Sequence, residues 1–206
     1  MTGHADGRHA RREATQRLIL DAAAGLFADQ GYTGTSVDQI ADAAGVSKGA
    51  IFYNFDSKAG VFAELIHRSS AAFGGRLEQA REGRRGWPAL EAVTLEILRD
   101  VDSHPAFVQI LQSELFRTGR PWADVIGDAR ARFLGPIIEV LREVADERVT
   151  AGLTRELPPR SVTDSVAASL LGALAVAALD RRVHAAERTV EDVHAGLLQA
   201  ISGLRA

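Results

Sequence analysis

The sequence predicts an all-α protein in which a small N-terminal three-helix domain is joined by a long helix to a larger helical bundle. Three observations predict this fold class. Apolar residues recur at helical spacing along most of the 206 residues, capping residues and glycines separate the helical stretches, and no segment alternates as a β-strand would. We place the domain boundary after residue 56, so that residues 1–56 form the first domain and residues 57–206 the second.

Nine helices follow from the apolar spacing and the capping residues. Residues 1–10 show no apolar period, and we expect them to be disordered. Gly31 ends the first helix, and Pro136 should kink or split the seventh. In chain order, the predicted helices cover residues 12–30, 37–44, 48–54, 57–81, 88–102, 104–117, 122–148, 161–182 and 189–204.

Composition argues against a disulfide-bonded, metal-binding, secreted or membrane-spanning protein. The chain has no cysteine, which excludes disulfides and thiolate metal sites, and its six histidines lack zinc-ligand spacing. We therefore predict no metal and no cofactor. Residues 1–17 are polar and basic, unlike a signal sequence, and the apolar run 166–179 is too short to cross a bilayer. We expect a soluble cytoplasmic protein without a membrane partner. The net charge of -3 does not by itself indicate a nucleic-acid partner.

Residues 35–55 have the spacing of a helix-turn-helix, with two short helices joined by a turn of three residues. Thr35 or Ser36 caps the first helix, and Ser47 caps the second. Gly45 allows the left-handed backbone that a tight turn between helices requires. In such a motif the second helix lies in the major groove of DNA. A short helical hairpin in an unrelated fold is the alternative interpretation.

The exposed face of the second helix carries chemistry that suits DNA. Ser47 stands at a positive helix N-terminus, and Lys48 adds a mobile cation. Gly49 permits close approach of a sugar-phosphate chain, while Tyr53 and Asn54 offer polar groups. Lys58 is a cation in the first turn of the long helix, where the helix dipole mildly disfavours it, so a counter-anion would explain its place. A DNA phosphate would supply one.

The run Gly45-Val46-Ser47-Lys48-Gly49-Ala50-Ile51-Phe52-Tyr53-Asn54-Phe55-Asp56-Ser57-Lys58 resembles the signature of the tetracycline-repressor (TetR/AcrR) family of transcriptional regulators. The resemblance covers about residues 12–66. A histidine is common in that family where this chain has Asn54. The resemblance implies double-stranded operator DNA as a partner, with contacts from Thr35, Ser47, Lys48, Gly49, Tyr53, Asn54 and Lys58.

The larger domain resembles the family only in architecture, as a helical regulatory domain. Aromatic residues are spread over several of its helices, and most aromatics at such spacing belong to the core. A pocket between these helices would favour a small, largely apolar effector. The candidate lining residues are Phe73, Phe107, Leu111, Trp122, Phe133 and Ser169.

The last two predicted helices are candidates for a homodimer interface. The first is rich in small residues, which allow close helix packing, and the second has apolar residues at heptad-like intervals. Two ordinary core helices of a monomer are the alternative. The candidate interface residues are Leu170, Ala173, Leu174, Ala177, Val193, Leu197, Ala200 and Leu204.

Together these observations predict a ligand-responsive transcriptional repressor that binds a palindromic operator as a dimer and is released by its effector. The alternative is a ligand-independent DNA-binding protein, either an activator or a nucleoid-organising factor. We expect no enzyme, because the chain lacks a Gly-x-Ser-x-Gly elbow, a Walker loop and a dinucleotide fingerprint. The basic arm Arg8–Arg12 is either a minor-groove contact or a solvated tail. Glu64 and His67 form either a metal site or a surface pair.

Overall fold

The computed structural model describes residues 3–114 and 122–205, and these residues confirm the all-α prediction. Within these ranges there are nine α-helices and no β-strand, with a 3-10 turn at Ser202–Leu204. The helices are α1 (Gly3–Gly34), α2 (Val37–Ala44), α3 (Lys48–Phe55), α4 (Lys58–Arg81), α5 (Gly86–Ser103), α6 (Pro105–Glu114), α7 (Ala123–Thr150), α8 (Arg160–Val183) and α9 (Val190–Ala200).

Several helix limits differ from the prediction. Helix α1 begins at Gly3 because residues 4–12 hold no proline and are rich in alanine and arginine, which favour helix. Its regular backbone is interrupted at Gly31 (φ 70°, ψ 168°), the predicted end, and one more turn follows. Helix α7 runs through Pro136 without splitting. The last residues of the predicted helix 104–117 lie outside the described part of the chain.

The chain divides into two compact units, each of which is discontinuous in sequence. The first comprises residues 1–69 and 106–129, and the second comprises residues 70–105 and 130–206. Helices α4, α6 and α7 each contribute residues to both units. The predicted boundary after residue 56 therefore does not coincide with the edge of either unit, because the N-terminal half of α4 packs within the first.

The core of the first unit is built from one apolar face of each of its helices. Helix α1 packs on α2 and α3, and α2 packs on α3. Burying these side chains supplies most of the stability of α2 and α3, which at eight residues each are too short to persist alone. The buried residues include Ile19, Ala23, Phe27, Ile40, Ile51, Phe55, Val61, Phe62 and Ile66.

The second unit centres on α5, which packs against both α8 and α9. The first amide groups of α5 are satisfied by carboxylates from α7: Gly86 N–H donates to Glu143 (2.9 Å) and Trp87 N–H to Glu147 (3.3 Å). Acidic groups at a helix N-terminus are stabilised by the helix dipole. The buried residues include Leu90, Val93, Ile97, Ile137, Val140, Ala167, Leu170, Leu174 and Ala178.

Candidate nucleic-acid interface

The turn between α2 and α3 is held by caps at both ends. Ser36 accepts a hydrogen bond from Gln39 N–H (3.1 Å), and Gln39 in turn accepts from Ser36 N–H (2.7 Å), so Ser36 rather than Thr35 is the cap. Gly45 takes the left-handed conformation (φ 66°, ψ 31°), as predicted, and Val46 N–H closes the motif on the Ala41 carbonyl. These bonds fix the direction in which α3 leaves the turn.

The junction between α3 and α4 is equally constrained. Ser47 caps α3 by accepting from Ala50 N–H (3.2 Å), and Asp56 ends the helix with a positive φ of 61°. A Cβ atom on Gly60 would lie 2.0 Å from the carbonyl oxygen of Phe55, so only glycine fits this first turn of α4. Helix α3 is therefore anchored at both ends.

The outer face of α3 is exposed and lies beside α1. Tyr53 is 77% exposed, and the Arg12 guanidinium lies 5.8 Å from its ring centre. Lys48 is exposed and pairs with Asp38 on α2 at 2.8 Å. A Cβ on Gly49 would meet little, so its backbone is open to a close neighbour. Exposed Phe52 extends the same surface.

Sequence reasoning missed two members of this surface. It treated Arg12 as part of a basic arm without placing it, and it did not single out Phe52. A signal for Phe52 was available, because it follows buried Ile51 by one residue and buried positions recur every three to four residues on a helix. The position of Arg12 depends on how α1 packs against α3, which spacing does not reveal.

Asn54 is turned towards its own helix. Its side-chain amide donates to the Ala50 carbonyl (2.8 Å), and its Oδ1 atom is buried without a partner. The side chain is half-buried, unlike that of its neighbour Tyr53. A DNA contact from Asn54 stays a prediction, and it would require the side chain to leave the carbonyl.

Thr35 is 2% exposed and has an internal role. Its hydroxyl lies 2.9 Å from the Gly31 carbonyl and 3.2 Å from that of Leu26, so it can donate to one of them and ties the end of α1 to the turn. Burial leaves no hydroxyl surface for a DNA phosphate. The contact that the resemblance implied for Thr35 is therefore not supported by the geometry of this chain.

Lys58 has partners within the protein. Its Nζ atom donates to the carbonyl oxygens of Tyr32 (2.8 Å) and Thr35 (2.7 Å) and lies 4.2 Å from the centre of the Tyr32 ring. Burial lowers the pKa of Lys58 from its ordinary value. The argument for a phosphate started from a cation without a partner, and the two carbonyls remove that premise. A phosphate contact stays a prediction.

The candidate effector residues are divided between the units. In the first unit, Trp122 packs on Tyr32 and Phe62, with ring centres 4.0 and 4.7 Å away, and its indole N–H donates to buried Glu114 (3.2 Å). Trp122 is therefore a core residue of the helix-turn-helix unit. Phe107 and Leu111 of α6 also belong to this unit and are half-buried.

In the second unit, Phe73 and Phe133 are buried against each other, with ring centres 5.1 Å apart. Ser169 lies on the exposed side of α8 and donates to the Ser165 carbonyl (2.9 Å). The prediction of Ser169 as a lining residue overlooked this common self-bonding of helical serine. The cavity described below is lined by other residues.

Helix α8 has a buried and an exposed apolar side, and two of the predicted interface residues lie on the buried one. Leu170 and Leu174 are buried in their own subunit, where α8 packs on α5, and are not available to a second chain. Exposed apolar residues occupy the opposite side, led by Val183 (80%) and Val176 (66%). Of the other candidates, Ala173 and Ala200 are exposed, and Ala177, Val193, Leu197 and Leu204 are half-buried.

By length and composition, α8 is apolar enough to cross a membrane, with a mean hydropathy of 1.8 over its best 18 residues. The predicted 14-residue run underestimated it. One such helix is weak evidence for a membrane span, because a core helix of a soluble protein passes the same test. Among the described residues no group of three or more histidine or acidic side chains could hold a metal ion, and Glu64 pairs with Arg68 (2.5 Å).

Comparisons with known proteins match the N-terminal region. A family model described as bacterial regulatory proteins of the tetR family matches residues 19–65. The transcriptional repressor KstR2 of Rhodococcus jostii is 35% identical over 98 residues, which are 47% of this chain and 48% of the relative. The regulator AcrR of Shigella flexneri is 42% identical over 69 residues, 32% of each chain. The matches span about half or less of these relatives.

Solved structures resemble most of the chain. The regulator FadR of Bacillus subtilis, solved with stearoyl-CoA, has a TM-score of 0.72 at 19% identity, covering 92% of this chain and 97% of that one. The fatty acid degradation regulator FadR of Bacillus halodurans has a TM-score of 0.69 at 22% identity, covering 89% and 94%. At these identities the likeness shows the fold alone.

The residues that the family model matches are those that build the second half of α1, all of α2 and α3, and the start of α4. This is the segment in which caps, turn and core fix the helix-turn-helix. Over these residues the chain is similar to the tetR family of bacterial regulatory proteins.

Proposed function

We propose that this chain is a transcriptional repressor that binds a palindromic operator as a homodimer and leaves it when a small, largely apolar effector binds. The observation that carries the DNA-binding part is the exposed face of α3. Tyr53, Lys48 and Gly49 lie on it, and Ser47 stands at the helix N-terminus, where amide groups favour phosphate. Arg12 of α1 adds a second cation next to Tyr53.

The arrangement suits both parts of DNA recognition. Cations and N-terminal amide groups bind phosphates and set most of the affinity, whereas groove-facing side chains set sequence preference. The ring of Tyr53 can pack on the sugar or a thymine methyl group, and its hydroxyl can bond a base edge. The rigid caps on either side of α3 hold this face in one orientation.

The exposed side of α8 supports the homodimer. Between Asp164 and Asp180 the helix has no charged residue, and Val176 and Leu179 are 66% and 40% exposed. A contiguous apolar surface of this kind marks an interaction site. A second copy related by a twofold axis would cover it and bring two α3 helices to one palindromic site.

Release by an effector is supported by the division of the chain and by relatives. Helix α4 contributes residues to both units, so a change in the second unit has a covalent route to the first. KstR2 is named a repressor, and FadR of Bacillus subtilis was solved with stearoyl-CoA, an apolar chain on a polar head. We propose the same class of regulation here, with coupling of about 1–3 kcal/mol.

The test is selection of duplexes from a random pool by the purified full chain. Enrichment of an inverted repeat whose half-sites lie about one DNA turn apart supports the proposal. A Tyr53→Ala variant, folded by circular dichroism, should not enrich that repeat. Retention of duplexes without any common sequence, equally by both proteins, would overturn operator recognition and leave a non-specific DNA-binding protein.

A further inference from the structure

A cavity of about 350 Å³ lies in the second unit, away from every residue that the sequence suggested as effector lining. It lies between the C-terminal half of α7, the loop of residues 151–159 and the first turns of α8. Its walls are mainly apolar and are formed by Leu141, Val144, Ala145, Leu157, Pro158, Pro159, Val162, Val166 and Leu204.

One buried polar side chain in this wall has no partner. Thr163 is 4% exposed, and its hydroxyl makes no hydrogen bond. Hydroxyls elsewhere in the same unit donate to the carbonyl four residues earlier: Ser165 does so at 2.8 Å and Thr94 at 2.7 Å. For Thr163 that carbonyl belongs to Pro159, which already accepts two amide groups. Leaving a buried hydroxyl unpaired is costly, so the missing partner needs an explanation.

The charges around the cavity nearly cancel. Arg148 and Glu156, of opposite sign, are the charged lining residues. The Arg148 guanidinium donates to the carbonyl oxygens of Gly203 (2.8 Å) and Arg205 (3.1 Å), which holds the C-terminal turn beside the cavity. Because the two charges nearly cancel, an ionic ligand would gain little electrostatic binding energy here, and an uncharged ligand would lose none.

We propose that this cavity is a binding site for an uncharged, largely apolar molecule with one hydroxyl or carbonyl group, which pairs with Thr163. A cavity of ~150 Å³ takes benzene, so 350 Å³ has room for about ten to fourteen non-hydrogen atoms. The identification of this molecule as the effector rests on the proposed function. The binding site itself stands independently of it.

Two probes of nearly equal shape test the site: naphthalene and 2-naphthol, which differ by one hydroxyl. Calorimetric titration of the full-length wild type should show saturable binding of both, with 2-naphthol about two- to twelvefold tighter, as one net hydrogen bond provides. The preference should disappear in Thr163→Val and persist in Thr163→Ser. The Thr163→Val variant should also melt no lower than the wild type, because no bond is lost.

The second experiment fills the cavity with a large side chain. Ala145→Trp should abolish binding of both probes, and Val166→Trp at the exposed mouth replaces it if the first variant loses its circular dichroism spectrum. Absence of saturable binding to the wild type overturns the site, as does an unchanged preference in Thr163→Val. If the wild type binds neither probe and sediments as a dimer that Val166→Trp splits, the cavity belongs to the contact with a second copy and the proposal fails.

Operator binding is measured separately with the same proteins. Probe binding without operator affinity would remove the proposed function and leave the site intact. Operator affinity without probe binding would remove the site and leave the DNA-binding function.

Discussion

Helices α3 and α8 both expose hydrophobic side chains, but their surroundings differ. On α3 the exposed Tyr53 has a polar hydroxyl and a neighbouring cation in Arg12, and Lys48 begins the helix. On α8, Val176 and Leu179 belong to a stretch without any charge. An amphipathic ring among cations suits a hydrated polyanion, whereas a bare aliphatic surface suits another apolar surface. The comparison supports the proposal that α3 contacts DNA and that α8 packs against a second copy.

The largest expected effect, on dimerisation, comes from placing a charge on α8. Val176→Arg puts an unpaired charge into the exposed apolar side of α8, where a second copy would pack, at a cost of about 3–5 kcal/mol. The wild type should sediment as a dimer and the variant as a folded monomer, and operator affinity should fall about 100-fold or more. Leu153→Arg, an equally polar change at an exposed loop position, is the control. A variant that remains dimeric would assign the α8 face to another role.

The next largest effect, on operator affinity, comes from truncating exposed side chains of α3. Tyr53→Ala should cost about 1–3 kcal/mol of operator affinity, or about 5- to 150-fold, without changing stability, because the side chain is mostly exposed. Asn54→Ala should cost less, since its amide already bonds the Ala50 carbonyl. Fluorescence anisotropy with operator and scrambled duplexes measures both. A greater loss in Asn54→Ala would mean that this side chain turns outward on DNA.

The same two regions explain how far the sequence was informative. The helix-turn-helix was predicted because its determinants are local: Gly45, Ser36 and Ser47 act within three or four residues of themselves. The role of Lys58 was missed because its partners, Tyr32 and Thr35, lie 26 and 23 positions away. A lysine that caps the end of a distant helix cannot be distinguished by spacing from one that awaits a phosphate.

In α8 the failure has a different cause. Apolar residues surround the helix on every side, so periodicity does not reveal which side faces its own subunit. Leu170 and Leu174 were selected as interface residues, but both are buried within the chain, and exposed Val176 and Val183 were left out. The cavity beside Thr163 was beyond prediction because α7, a loop and α8 form it together.

A third prediction separates the two lysines of the chain. Lys58→Met removes two hydrogen bonds to carbonyls and should lower the free energy of unfolding by about 2 kcal/mol. It should leave the salt dependence of operator binding unchanged. Lys48→Met, the matched variant on the exposed face, should barely change stability and should reduce the salt slope by about one to two per dimer. Denaturant titration and salt-dependent anisotropy measure the two effects. If Lys58→Met instead reduced the salt slope and left stability unchanged, Lys58 would be a phosphate contact.

The smallest effect concerns α9, which packs on α5 through His194. Its Nε2 atom lies 3.0 Å from the Thr94 hydroxyl, and burial lowers the pKa of His194 below its ordinary value of 6.5. Because the folded state favours the neutral ring, the contribution to stability is present above pH 6.5 and is lost as the pH falls. When the pH is lowered from 6.5 to about 5, the melting temperature of the wild type should fall further than that of His194→Gln. Equal losses would show that His194 does not report on this contact.

The central claim is that two subunits bind one operator through paired α3 helices, and sedimentation of the full chain with fluorescent duplexes tests it most directly. Duplexes carry both selected half-sites, or one half-site with the other scrambled. We predict two subunits on the complete site, with affinity lost by at least an order of magnitude when either half is scrambled, and only weak complexes with Val176→Arg. One subunit per duplex, bound equally to complete and half-scrambled sites, would contradict the account.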